Sequence, residues 1–167
     1  MVGTSTQGTK AYFVDVGTDL GYVEATQLND PAKVKTALAT AKEIDCIVDL
    51  GDLNLGIRQV TEKTCINKRG TLKFLGSYSI GNITPELIFD AADTAGQKTL
   101  KDMWRLETQK IMIIVFNDQI TPTTGHPTTV TFTAAVSSPT IGVTKDDVVS
   151  YKPTIEMMDL PVFNEAD

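Results

Sequence analysis

Apolar and polar positions alternate along most of this chain, and only two stretches carry the longer period of a helix. Residues 10–16 give the first strand pattern, with Tyr12, Val14 and Val16 set against Asp15. Gly17 and Gly21 bracket a turn, and residues 22–28 read as a second strand. Asp30-Pro31 is a helix start: the Asp side chain caps, and Pro lacks only a donor that the first helical position does not use. Good helix formers fill 31–42, where Val34, Ala37, Leu38 and Ala41 share a face. Strand character returns at 44–50, 57–66 and 72–79, and Gly81-Asn82 marks a turn. Residues 110–116, KIMIIVF, are apolar without alternation, as in a strand covered on both faces by its own chain or by another subunit. Residues 130–136 alternate cleanly, 137–147 read as a turn region, and 148–158 supply the last strand. Pro153 inside that strand predicts a sheet edge or a bulge.

The most strongly marked stretch is 79–104. It reads as a strand over 84–89, a polar corner from Asp90 to Asp93, and a helix over about 94–106. Thr94 and Gln97 have the spacing of a capping box, in which the hydroxyl takes a backbone N–H and the Gln side chain reaches back. Leu100, Met103 and Trp104 then fall together as the expected core face. Lys98, Lys101, Asp102 and Arg105 point elsewhere.

These elements predict a mainly β single domain over 10–158, with one flanking helix and a short extra helix at 31–42. Residues 1–9 form an arm rich in Gly, Thr and Ser, expected to be flexible, and the acidic tail 159–167 is expected to be loose. A length of 167 residues is enough for a real core, and 41% hydrophobic with 22% charged residues argues against global disorder. The net charge of −6 disfavours non-specific binding to phosphate backbones. No run approaches the roughly 18 apolar residues of a membrane helix, and the first residues lack a signal-peptide pattern, so no membrane insertion is expected.

Candidate chemistry is sparse, and no catalytic, metal or cofactor site is expected. His126, the one histidine, lies in a Gly/Pro loop far from any nucleophile elbow. Cys46 and Cys65 match no zinc or redox spacing. Asp90 and Asp93 suit a helix N-terminus better than a cation site. Asp146-Asp147 reads as a turn. The local basic cluster Arg58, Lys63, Lys68 and Arg69, with Glu62 among them, is either a solvated hairpin or a docking loop for an acidic surface.

Three stretches in order carry a resemblance: VTEKTCINKRG from Val60 to Gly70 with LGSYSIG after it, ITPELIFDAADTAGQKTL from Ile83 to Leu100, and TVTFTAAVSSPTIGVTKDDVVSYKPTIEM from Thr129 to Met157. Their order and character resemble the major tail tube proteins of long-tailed bacteriophages, chiefly the non-contractile kind. Residues 1–50 match only in kind, and Pro153 and the 31–42 helix depart from the pattern. The resemblance implies a β-sandwich or barrel of two antiparallel sheets with one helix on its flank. It implies hexameric rings that stack into a tube in a virion tail, through which DNA passes without specific binding. Partners would be further copies of the chain, with tail terminator, tape measure and tail tip proteins. Loop 51–70 and arm 1–9 would reach the adjacent ring, placing Arg58, Glu62, Lys63, Lys68 and Arg69 at an inter-ring contact. The tube ring of a contractile injection system shares this fold and stays open as an alternative, as does a small all-β binding domain.

Overall fold

The computed structural model describes residues 8–15, 24–64, 71–119, 124–143 and 148–167. The expected turn at 17–21, most of the arm, Cys65, Lys68, Arg69 and the Asp146-Asp147 pair lie outside them.

Strand β1 (Lys10–Asp15) comes first. The expected strand at 22–28 is replaced over its described part by a single 3₁₀ turn, Ala25–Gln27. There the Glu24 N–H donates to Gln27 Oε1 at 3.1 Å, a local bond that competes with strand pairing. Helix α1 (Pro31–Leu38) is capped by Asp30, whose Oδ1 accepts from Ala32 N at 2.7 Å. It ends four residues before the expected Lys42. Bonds of three-residue reach, Ala39 N to Thr36 O and Thr40 N to Ala37 O, tighten and close its last turn. Of the expected strand at 44–50 only β3 (Ile47–Asp49) forms, and a separate short strand, β2 (Lys42–Glu43), precedes it. Between them Cys46 takes a left-handed conformation, φ 60°, which turns the chain sharply.

A hairpin follows, β4 (Ile57–Thr64) and β5 (Thr71–Ser79), then the short strands β6 (Asn82–Ile83) and β7 (Glu86–Ile88). Helix α2 (Gly96–Leu106) leads to β8 (Lys110–Val115), β9 (Thr129–Gly142), β10 (Ser150–Met157) and β11 (Val162–Asn164). Strand β9 runs well past the expected Val136. Residues read as a turn, Ser138, Pro139 and Thr140, instead pair with Thr154, Pro153 and Lys152. Their Ser, Pro and Gly content suggested a loop, but the long partner strand fixes them. A register shift between Thr154 and Ile155 lies one residue from Pro153, so the proline sits beside a bulge.

The result is a nine-stranded antiparallel sheet in the order β2-β1-β8-β9-β10-β7-β3, with β11 and β6 attached at its sides. The hairpin β4–β5 forms a second, two-stranded sheet. Strands β2 and β3 stand at opposite ends of the large sheet yet only residues 44–46 separate them. The sheet therefore curls until its ends meet. Its inner face gathers Phe13, Leu87, Ile114, Phe132, Tyr151 and Ile155 into one core, closed by Leu100 and Met103 of α2.

A second core explains the unbroken apolar run at 110–116. Ile111 and Ile113 face away from the main core and meet Leu28, Val34 and Ala37. Both faces of β8 are thus covered within the chain.

The tail is not loose. Strand β11 pairs with β9, and the buried Asn164 donates to Leu28 O at 3.2 Å. Asp159 accepts from Thr133 N at 2.7 Å and from its hydroxyl at 2.6 Å. Acidic composition suggested solvation, but the Asp159 carboxylate satisfies a backbone and a hydroxyl donor of β9, and the Asn164 amide donates to the Leu28 carbonyl.

At the opposite end of β8, Lys110 pairs with Asp15 and holds its carboxyl below the ordinary range, against a smaller opposing effect of burial. A depressed folded value means stability that is present above the ordinary carboxylate range and lost as pH falls through the folded value. Asp15 is partly exposed, so the contribution is discounted to roughly 0.2–1 kcal/mol. Urea denaturation of Asp15→Asn against the parent should show that difference at pH 7 and none well below pH 3. An equal gap at both pH values would show that the ion pair is not its source.

Candidate assembly surface

The hairpin β4–β5 stands apart from the rest of the molecule. Every side chain described on it is exposed. Pairing of Val60 with Leu75 and Arg58 with Tyr78 places these four on one face. Thr61 pairs with Phe74 on the other, which also carries Ile57, Gln59 and Lys63. Leu75 is 68% exposed, Ile57 66% and Phe74 52%, so both faces present apolar surface to water. An isolated two-stranded hairpin is marginal at best in water. Among the described residues this one has no core beneath it, and its both-sided apolar surface suits burial between other surfaces.

Its root, in contrast, is fixed. Gly56 has φ +98°, and a Cβ there would lie 2.1 Å from Ser79 O. On Gly81 a Cβ would lie 1.6 Å from Asn54 O. Only glycine lets the two segments cross so closely. Asn54 N donates to Asn82 O at 3.1 Å, Gly56 N donates to Asn54 Oδ1 at 3.0 Å, and the Tyr78 hydroxyl donates to Leu55 O. The blade is thus held at a set angle while remaining uncovered.

Of the residues singled out by charge, Arg58, Glu62 and Lys63 lie on β4 and are exposed. Glu62 is satisfied within the hairpin by Lys73 at 3.1 Å. The apolar residues Val60, Phe74 and Leu75 went unnoticed in the sequence. Their signal was present in the interleaving of apolar and charged positions on both strands, which fits a blade wanted by partners on both sides.

The corner before α2 is organised differently from the capping-box expectation. Asp93, not Thr94, caps the helix: its Oδ1 accepts from Ala95 N at 2.7 Å and its Oδ2 from Gln97 N at 2.5 Å. A carboxylate outcompetes a hydroxyl for donors at a positive helix end. Gln97 is fully buried and does not return to Thr94. Its Oε1 accepts from Asp90 N at 3.0 Å and its Nε2 donates to Ile88 O at 2.7 Å, which ties the helix to the end of β7. Asp90 makes its own turn, accepting from Ala92 N at 2.8 Å. Both aspartates thus serve the corner. Among the described residues no three His, Cys, Asp or Glu side chains converge on a metal-sized site.

Leu100 and Met103 are buried, but Trp104 is 51% exposed and is not part of the core face. Gly96, Gln97, Thr99, Leu100 and Met103 already fill the contact stripe, and Trp104 falls at its margin. It borders an open apolar groove with Phe89, Pro139, Ile141 and Tyr151. Lys101 Nζ lies 4.5 Å from the Phe89 ring centroid. Burial pushes the Tyr151 phenol up to about 12, and among the described residues its hydroxyl has no hydrogen-bond partner.

His126 is engaged with the chain's last described residue. Its backbone N–H donates to Asp167 Oδ1 at 2.8 Å. It lines an open groove with Val34, Lys35 and Leu38 of α1.

No protein-family model and no curated protein sequence matches the chain. Solved structures do. The SPP1 tail tube aligns over 98% of this chain and 80% of its own, with a TM-score of 0.65 at 14% identity. This chain has the fold of a tail-tube subunit. A chain of the anti-feeding prophage baseplate, determined with six-fold symmetry, aligns over 99% of this chain and 97% of its own (TM-score 0.67, 13% identity). The sheath/tube terminator of the extracellular contractile injection system PVC aligns over 98% of both chains at TM-score 0.61 and 13% identity. The likeness therefore extends to contractile injection systems and is not specific to non-contractile tails.

Two outcomes follow for the separate chain. Leu100→Ala should cost 2–5 kcal/mol, Asp93→Ala about 1, and Trp104→Ala under about 1 in chemical denaturation. A Trp104→Ala loss matching that of Leu100→Ala would mean that the helix is packed the other way round. In hydrogen exchange on the unassembled protein, β4–β5 amides should exchange far faster than those of β8 and β9. Equal protection would contradict an uncovered blade.

Proposed function

We propose that the chain is the structural subunit of a tail tube: copies close into hexameric rings, and the rings stack into a conduit for DNA leaving a virion. The observation that carries this reading is the blade β4–β5, apolar on both faces and rigid at its root, on a tail-tube fold. In a lone molecule such a blade loses by exposure. In a stack it fits between subunits of the adjacent ring, where Val60, Phe74 and Leu75 are buried and Arg58, Lys63, Lys68 and Arg69 meet acidic surface. Head-to-tail contact that closes by rotation gives a ring, and repeated translation gives a filament. Tail terminator, tape measure and tail tip proteins would complete the structure. Nothing in this role calls for catalysis.

A second reading is the tube of a contractile injection particle. It is favoured by the near-complete match to the anti-feeding prophage chain. Cargo distinguishes the two: purified particles carrying this subunit should hold DNA under the first reading and protein under the second.

The assembly claim is tested by electron microscopy of the concentrated protein. The parent sequence should form tubes. Val60→Lys with Leu75→Asp, opposite charges facing each other across the hairpin, should leave folded stability within about 0.5 kcal/mol, since both sites are exposed, yet abolish stacking. Lys68→Glu with Arg69→Glu should weaken it. Normal tube yield from both double variants would sink the role given to the blade.

A further inference from the structure

The inner face of the large sheet is not sealed along its whole length. Leu100 and Met103 of α2 close part of it, and the face continues beyond them on β9 and β10. Ile141 pairs with Tyr151, so the two side chains share that face, and Pro139 joins them by alternation. Tyr151 is buried in the core, whereas Ile141 is 54% exposed. Between these strands and α2 runs the groove that Trp104 borders, with a volume of about 370 Å³. Small-ligand sites begin at about 300 Å³.

Three features of this groove specify an occupant. Its walls are rings. Phe89 and Tyr151 meet edge to face, with centroids 6.4 Å apart and planes at 74°, and Trp104 offers a half-exposed indole beside them. A planar ring gains more against such walls than the buried area alone supplies. Its rim is cationic, with Lys98, Lys101 and Arg105 around a single acid, Asp102. Lys98 and Arg105 both engage that acid. Lys101 has no carboxylate within ion-pair reach among the described residues, and its ammonium stands over the Phe89 ring. Lastly, the Tyr151 hydroxyl is buried without a partner among the described residues. An unpaired buried donor costs stability that an entering acceptor restores.

We propose that the groove between α2 and β9–β10 is a binding site for a planar aromatic anion. The ring lies against Trp104 and Ile141, the anionic group meets Lys101, and an oxygen accepts from the Tyr151 hydroxyl. Each part of the ligand answers one feature of the site: ring walls, an unpaired cation and an unpaired donor. A blade from another copy is a poor occupant, because Arg58 and Lys63 would bring cations to a cationic rim. The site is complete within one chain, so it stands apart from the tube reading.

The chain has one tryptophan, Trp104, so its own signal reports on this groove. The unassembled full chain, labelled with fluorotryptophan, is titrated with naphthoate and followed by fluorine NMR. The single resonance should shift and saturate at about millimolar probe or below, as expected for so small a ligand. Neutral naphthalenemethanol and the aliphatic anion octanoate should each need about tenfold more. Lys101→Met keeps the apolar stem and removes the charge. It should weaken naphthoate about tenfold and leave naphthalenemethanol unchanged, a selectivity that a merely structural role for Lys101 does not produce. Tyr151→Phe should weaken naphthoate about threefold or more through the lost hydrogen bond, and Ile141→Asp should abolish the shift. The site is overturned if naphthoate gives no saturable shift, if the three probes bind alike, or if Lys101→Met leaves naphthoate affinity unchanged.

Discussion

The structure depends on the short link 44–46. It joins β2 at one end of the large sheet to β3 at the other, so the sheet must close on itself. The left-handed Cys46 makes the bend, Ile44 N donates to Ala11 O at 2.9 Å on one side, and Ile88 N donates to Cys46 O at 3.0 Å on the other. Helix α2 then seals the gap. Gly96 packs so tightly there that a Cβ would lie 2.4 Å from Glu43 O and 2.5 Å from Ile44 Cα. A single seam thereby sets the curl, the seat of α2 and the direction in which the outer face of β9–β10–β7–β3 looks.

Much of this was legible in the chain, and for specific reasons. The Asp30-Pro31 start was read correctly because the cap is local chemistry. The alternation of 130–136 located the first half of β9 but implied one buried face, whereas Val130, Phe132 and Ala134 face the core and Thr131 and Thr133 between them are buried too. Over 24–28 the expected strand failed because a bond from the Glu24 N–H to the Gln27 side chain overrode the pattern. The end of β9 failed because its residues favour turns and only the opposing β10 holds them extended. Tertiary pairing of that kind leaves no periodic trace.

The candidate site was legible in charge and not in hydrophobicity. Arg58, Glu62 and Lys63 drew notice because cations cluster there in an acidic protein. Val60, Phe74 and Leu75 did not, since an apolar residue in a strand ordinarily means core. Thr94 and Trp104 misled for related reasons. Spacing alone identifies a helix face, but the margin of that face, and the choice of capping residue, depend on which neighbour arrives first. Asp93 is a stronger acceptor than Thr94, and Gln97 was claimed by the end of β7.

The uncovered blade also bears on timing. A free chain carries Ile57, Phe74 and Leu75 in contact with water. Ordering two thin strands against a neighbour costs conformational entropy that a single weak encounter does not return. Under the proposed tube role, a first pair of rings would therefore be hard to make, while each ring added to an existing end would find a surface already in place. The place and moment of polymerisation would then belong to whatever supplies the first end.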